Sequence, residues 1–291
     1  MKIKIFICVL GLLGAMLCGC QRQEPCQVAA TTLPVYQFTE ALCQGTGIAV
    51  TQLITQQVSC LHDYSLNVSQ VRTLETAQVV VISGGGLEEF MEEALEGAER
   101  VIDSSGGIPL LECEEHDHEP EHGHHHEQDA HIWLSPVNAG LMAENIAQGL
   151  VSAYPEQKDR ILHNLQVLQQ RFAELEQYGK LELEQLACRE LITFHDGFGY
   201  FAQAFDLHIL EAIEEESGSE ASARELKEMI GMVRDHELPA VFTEVNGSVS
   251  AADIISAETG AKVYALDMAM AGDDYFEAMY HNIDTIREAM G

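Results

Sequence analysis

The sequence predicts an α/β protein of two lobes with mostly parallel sheets, joined by a long rigid bridge helix. Three observations lead there. Short apolar runs of strand length alternate with helical patterns in both halves of the 291-residue chain, and such alternation implies parallel sheets. One long amphipathic pattern separates the two halves. Histidines and carboxylates follow directly on several predicted strands, the edge where open parallel sheets hold ligands.

The N-terminal end reads as a secretion signal. Lys2 and Lys4 precede the apolar stretch Ile5 to Leu17, which is short of the about 20 residues that span a bilayer. It closes on Leu17-Cys18-Gly19-Cys20, which resembles the lipobox of bacterial lipoproteins. Cys20 is therefore the expected lipidation site, after a signal peptide over 1–19 and before a tether over 20–26. An acylated cysteine would attach the chain to the outer face of the cell membrane. The expected domains are an N-terminal α/β lobe over 27–153, a bridge helix over 154–179 and a C-terminal α/β lobe over 180–291.

In the first lobe, Val28–Thr32, Val50–Ile54 and Val79–Ser83 have strand character, and Tyr36–Cys43 is helical. Gly84-Gly85-Gly86 is a strand-to-helix turn ahead of a predicted helix over 87–96; its spacing is not that of a phosphate loop. Asn138–Ser152 is helical. From Pro155, apolar residues Ile161, Leu165, Leu168, Phe172 and Leu175 recur at steps of four and three, which predicts the bridge helix. The second half alternates again: strands at Leu191–Phe194, Ile209–Ile213, Ala240–Thr243 and Val263–Leu266, helices over 199–205 and 274–289. A capping box at Ser222 and Glu225 opens a further helix carrying Leu226, Met229, Ile230 and Val233.

The charge balance excludes some partners. Fifteen Lys and Arg stand against 47 Asp and Glu, a formal net charge of −32. That argues against nucleic acid and against an electrostatic grip on anionic lipid, and it attracts cations. Eight cysteines do not make a disulfide framework. Cys8 and Cys18 fall in the signal peptide and Cys20 at the anchor. Cys26, Cys43, Cys60, Cys113 and Cys188 remain, enough for at most two bridges that sequence does not pair.

Six of the 13 histidines lie between His116 and His126. The loop over 113–127 is low-complexity and acidic, so it cannot bury a core. His116, His118, His122, His124, His125 and His126 are expected to capture metal weakly, since imidazoles and carboxylates are what borderline divalent ions prefer. His131 differs, because it sits where apolar sequence resumes. The strand-end rule adds His195, Asp267 and Glu244, with His62 and Asp63 after the Val50–Val58 segment. Three imidazoles and one carboxylate drawn from both halves suit Zn²⁺; a more oxygen-rich site would suit Mn²⁺. Glu244 fits better as a partner orienting a ligand histidine than as a ligand.

TTLPVY (31–36), LHDYSLNVSQV (61–71), DAHIWLSP (129–136), TFHDGFGYFAQAFDL (193–207), FTEVNGS (242–248) and VYALD (263–267) mark a family. The chain resembles the substrate-binding lipoproteins of zinc and manganese ABC importers, the cluster A-I solute-binding proteins. The resemblance implies two α/β lobes with the metal site between them, and the ligand set His62, His131, His195 and Asp267. Histidine at 195, where manganese-type members tend to have glutamate, implies a zinc-type member. So does the histidine-rich loop. The implied partner is the membrane permease of an ABC importer, and the implied role is capture and delivery of Zn²⁺, not catalysis. A manganese- or iron-carrying member and a secreted zinc hydrolase are the alternatives. Met268-Ala269-Met270 departs from the family's proline-leucine-glycine, and Leu61 from its proline.

Overall fold

The computed structural model describes residues 26–56, 61, 64–112, 128–214, 221–270, 272 and 274–291. The expected signal peptide, Cys20, Cys60, His62, Asp63, Cys113 and the six histidines between 116 and 126 lie outside the described residues.

Two parallel sheets of four strands carry the fold. The first contains β1 (Val28–Ala30), β2 (Val50–Gln52), β3 (Val79–Ile82) and β4 (Val101–Asp103), in the order β2-β1-β3-β4. The second contains β5 (Glu190–His195), β6 (His208–Glu214), β7 (Ala240–Glu244) and β8 (Lys262–Leu266), in the order β6-β5-β7-β8. The same order thus occurs twice. In each sheet the chain leaves the first strand to one side and then crosses to the other, which opens a crevice at the carboxyl ends.

Helices pack on these sheets for local reasons. α1 (Leu33–Cys43) starts three residues before its predicted position because Pro34 sits in the first turn, where a missing N–H costs nothing. α2 (Val68–Thr76) is opened by a capping box between Asn67 and Gln70; its polar surface gave no apolar period to read. The helix predicted over 87–96 is instead a 3₁₀ turn, Glu89–Met91, and the five-residue α3 (Glu92–Glu96). Gly84, Gly85 and Gly86 hold φ of +80°, +66° and +91°, and this left-handed path delays the helix. α4 spans Pro136–Ala153, capped by Ser135, whose hydroxyl accepts from the Asn138 amide.

α5 (Lys158–Glu182) is the long central helix, with Ile161, Leu165, Leu168, Phe172 and Leu175 buried. α6 (Gly199–Ala204) follows β5, and α7 (Ala223–Asp235) has the Ser222–Glu225 capping box that its sequence predicts. α8 (Ser250–Thr259) buries only small or single apolar residues and was not legible. α9 (Tyr275–Met290) is capped by the Asp274 carboxylate.

The two halves share one core. Phe172 of α5 meets Phe38 of α1 edge-on at 5.1 Å and stacks on Phe276 of α9 at 5.2 Å. Tyr275 closes the cluster against Phe38 at 4.9 Å. One continuous set of buried apolar side chains runs from Val28 to Met290 through both sheets, and a smaller cluster lies under α7 and α8. Among the described residues Cys26, Cys43 and Cys188 are unbridged thiols; burial pushes Cys43 up to about 12. Among the same residues no helix is long and apolar enough to cross a membrane.

The carboxyl edge of the first sheet is tied by one buried carboxylate. Glu88 accepts the Thr31 hydroxyl at 2.6 Å and the Ser83 amide at 2.7 Å on Oε1, and the Gly84 amide at 3.0 Å on Oε2. Burial raises its pKa to about 7, against these hydrogen bonds, which lower it. A carboxyl whose folded pKa lies above its unfolded value favours folding most at low pH. Its contribution is full below about 4.5 and declines as pH rises through about 7, a loss on the order of 3 kcal/mol. Urea denaturation at pH 5 and pH 7.5 should show this loss in the wild type and a clearly smaller one in Glu88→Gln. Equal losses would contradict it.

Candidate metal centre

The C-terminal end of β5 delivers His195, and a 3₁₀ turn over Ile132–Leu134 holds His131 at its start. The two residues are 64 apart in sequence, yet their Nε2 atoms stand 3.3 Å apart. Their rings meet nearly perpendicular, centroids 5.0 Å apart. Both are buried, 3% and 2% exposed.

Each ring is backed by a carboxylate on its other nitrogen. Asp129 Oδ1 lies 2.8 Å from His131 Nδ1 and also accepts the His131 backbone N–H at 2.8 Å. Glu244, at the end of β7, places Oε1 3.5 Å from His195 Nδ1 and is itself buried. Where a carboxylate takes the Nδ1–H, as Asp129 is placed to do for His131, the Nε2 lone pair is left for an electrophile. At 3.3 Å the two Nε2 atoms are within hydrogen-bond distance, so one can donate to the other or both can face a cation. Glu244 thus stands behind His195, on the side away from His131.

Gly197 makes room for this meeting. A Cβ there would come within 2.8 Å of His195 Cδ2, 2.7 Å of Met268 Cε and 3.0 Å of His131 Cε1. Asp267 follows β8. Its amide donates to Asn282 Oδ1 at 2.7 Å, and Asn282 Nδ2 donates back to its carbonyl at 2.7 Å. Its Oδ1 accepts the Ala269 amide at 2.7 Å, and burial raises its pKa although that bond and His281 act the other way. Ala269 adopts φ +55°, so the turn where the sequence departs from the family pattern is left-handed.

The structure therefore brings His131 and His195 together, with Asp129 and Glu244 behind them. Among the described residues no three His, Cys, Asp or Glu side chains gather closely enough to hold an ion; His62 is outside those residues. Neither Asp129 nor Gly197 is among the site residues that the sequence singles out. The Asp-X-His spacing was the available signal for the first. For the second there was only its place in HDGFGYF.

A family model described as zinc-uptake complex component A, periplasmic, matches residues 28–289. The chain belongs to this family. It is 27% identical to the zinc-binding lipoprotein AdcA of Streptococcus pneumoniae strain R6, over 99% of this chain and 60% of the relative. The chain thus spans about 60% of the length of that curated relative. A putative metal-binding protein of Treponema pallidum is 26% identical over 93% of this chain and 92% of its own length. The crystal structure of ZnuA superposes with a TM-score of 0.79 at 30% identity, covering 91% of this chain and 99% of that one. The two-lobed α/β architecture with parallel sheets is shared with these structures.

Because the site is packed around a missing side chain, Gly197→Ala should force the imidazoles apart. A tight insertion of this kind costs about 1–3 kcal/mol. Chemical denaturation of the metal-free variant should show that loss; an unchanged midpoint would contradict the packing described.

Proposed function

We propose that this chain is an extracytoplasmic Zn²⁺-binding lipoprotein that captures the ion and passes it to the membrane permease of an ABC importer. The ligands are His62, His131, His195 and Asp267. Cys20 carries the lipid anchor, and the histidines between 116 and 126 gather the ion at low occupancy.

The observation that carries this reading is the 3.3 Å separation of His131 Nε2 and His195 Nε2. Two imidazole nitrogens bound at ~2.0–2.1 Å to a tetrahedral Zn²⁺ stand about 3.3–3.4 Å apart. A carboxylate stands near the other nitrogen of each ring, 2.8 Å from His131 Nδ1 and 3.5 Å from His195 Nδ1, the place from which such groups orient a ligand histidine. The formal net charge of −32 concentrates cations at the surface. Membership of a zinc-uptake family and the zinc-binding lipoproteins among its relatives support the same cargo.

Capture fits better than catalysis. A hydrolytic zinc keeps an open position for water, and four protein ligands close it. The string His118-Glu119-Pro120-Glu121-His122 has zincin spacing, but the proline breaks the helix that such a motif needs.

A competition titration with Zn²⁺ and Mn²⁺ on mature protein lacking 113–127 tests the proposal. One tight zinc site with weak manganese binding, lost in His195→Ala, is the expected result. Loss of tight binding with the loop, or preference for manganese, would contradict it. Asp129→Ala should weaken zinc binding 10–100-fold, the usual effect of removing a carboxylate behind a ligand histidine; isothermal titration would detect it, and wild-type affinity would count against that role.

A further inference from the structure

The chain segments that bear the candidate ligands are cross-tied by hydrogen bonds that involve no ion. Tyr200, in α6 of the second half, is 1% exposed. Its hydroxyl accepts the Leu111 amide at 2.9 Å and donates to the Asp129 carbonyl at 3.1 Å. Leu111 and Asp129 belong to the first half and are paired with each other, since the Asp129 amide donates to the Leu111 carbonyl at 2.8 Å. One phenol therefore grips both chain segments from across the interface. Gly199 leaves the space for it, because a Cβ there would lie 3.1 Å from Asp129 Oδ2 and 3.3 Å from Leu111 Cδ1.

A second tie lies two residues beyond His131. The Trp133 indole N–H donates to the Met268 carbonyl at 2.8 Å, and the Trp133 carbonyl accepts the Tyr275 hydroxyl at 2.7 Å. Met268 is the neighbour of Asp267. The segment carrying His131 is thus fastened to the second half on both sides.

We propose that the Tyr200 phenol is a positioning residue for the metal site. It holds the Asp129 backbone, Asp129 holds the His131 ring, and with the Trp133 indole it latches the two halves around the site before an ion arrives. The proposal rests on the metal reading of His131 and His195. It adds that the geometry of the pair is set by the protein, so that ligand escape, and not ion capture alone, depends on these ties.

Tyr200→Phe removes the hydroxyl and keeps the ring. Zinc release from mature protein into excess chelator, followed by stopped flow, should be about tenfold faster in this variant, the effect of losing hydrogen bonds of ordinary net strength. Tyr178→Phe, which removes a phenol bonded to Asp284 at 2.8 Å on the surface of α5, should release zinc at the wild-type rate. Trp133 is the only tryptophan, so acrylamide quenching of the metal-free protein reads the latch directly. It should be weak in the wild type and stronger in Tyr200→Phe. A lowered thermal midpoint with wild-type release and wild-type quenching would make Tyr200 merely structural and overturn the proposal. If Tyr200→Phe does not fold, Trp133→Phe replaces it in the release experiment, where a wild-type rate overturns the latch. A wild-type protein that binds no zinc would end the metal reading, and the quenching comparison would still decide the latch.

Discussion

Two imidazoles, His195 at the end of β5 and His131 on the turn ahead of α4, are buried with their Nε2 atoms 3.3 Å apart, and this is the constraint on which the structure turns. Burying polar groups is costly unless each has a partner. Asp129 offsets that cost for His131 at 2.8 Å, and the Glu244 carboxylate lies 3.5 Å from His195 Nδ1. Positions this close tolerate little relative motion of the two halves. The shared apolar core, the aromatic cluster of Phe38, Phe172, Tyr275 and Phe276, and the length of α5 supply that rigidity. Packed cores of this kind deform little, so small movements at the interface translate directly into the geometry of the His131–His195 pair.

Much of this was legible in the sequence because periodicity and caps are local. Seven of the eight strands among the described residues follow apolar runs, and the Ser222–Glu225 box is read from four residues. Where local signal was weak the reading failed. β4 is three residues long with only Ile102 buried, and α2 and α8 have little apolar face. The predicted helix after Gly86 was shortened by glycines whose positive φ no composition rule reveals. At the site, the strand-end rule picked out His195, Glu244 and Asp267, since a parallel sheet fixes where its ends point. His195 and Glu244 proved to be the last strand residues rather than the first beyond them. Tyr200, Gly197 and Glu88 could not be read, because their roles come from contacts with residues tens of positions away.

The turn after Asp267 shows how a departure from the family pattern is absorbed. Ala269 takes a left-handed conformation that costs an L-residue about 1–2 kcal/mol. Its amide then caps the Asp267 carboxylate, and Asn282 clamps the Asp267 backbone from α9. Met268 lends its carbonyl to Trp133 and its side chain to the packing beside Gly197. The unusual Met-Ala-Met sequence is thus built into the site's wall.

The most direct test of the central claim is zinc K-edge X-ray absorption on mature protein lacking 113–127 and loaded with one equivalent of Zn²⁺. The account predicts four nitrogen and oxygen neighbours at about 2.0–2.1 Å with the outer-shell scattering of three imidazoles. A sulfur neighbour at about 2.3 Å, or a shell dominated by oxygen with fewer than two imidazoles, would contradict it.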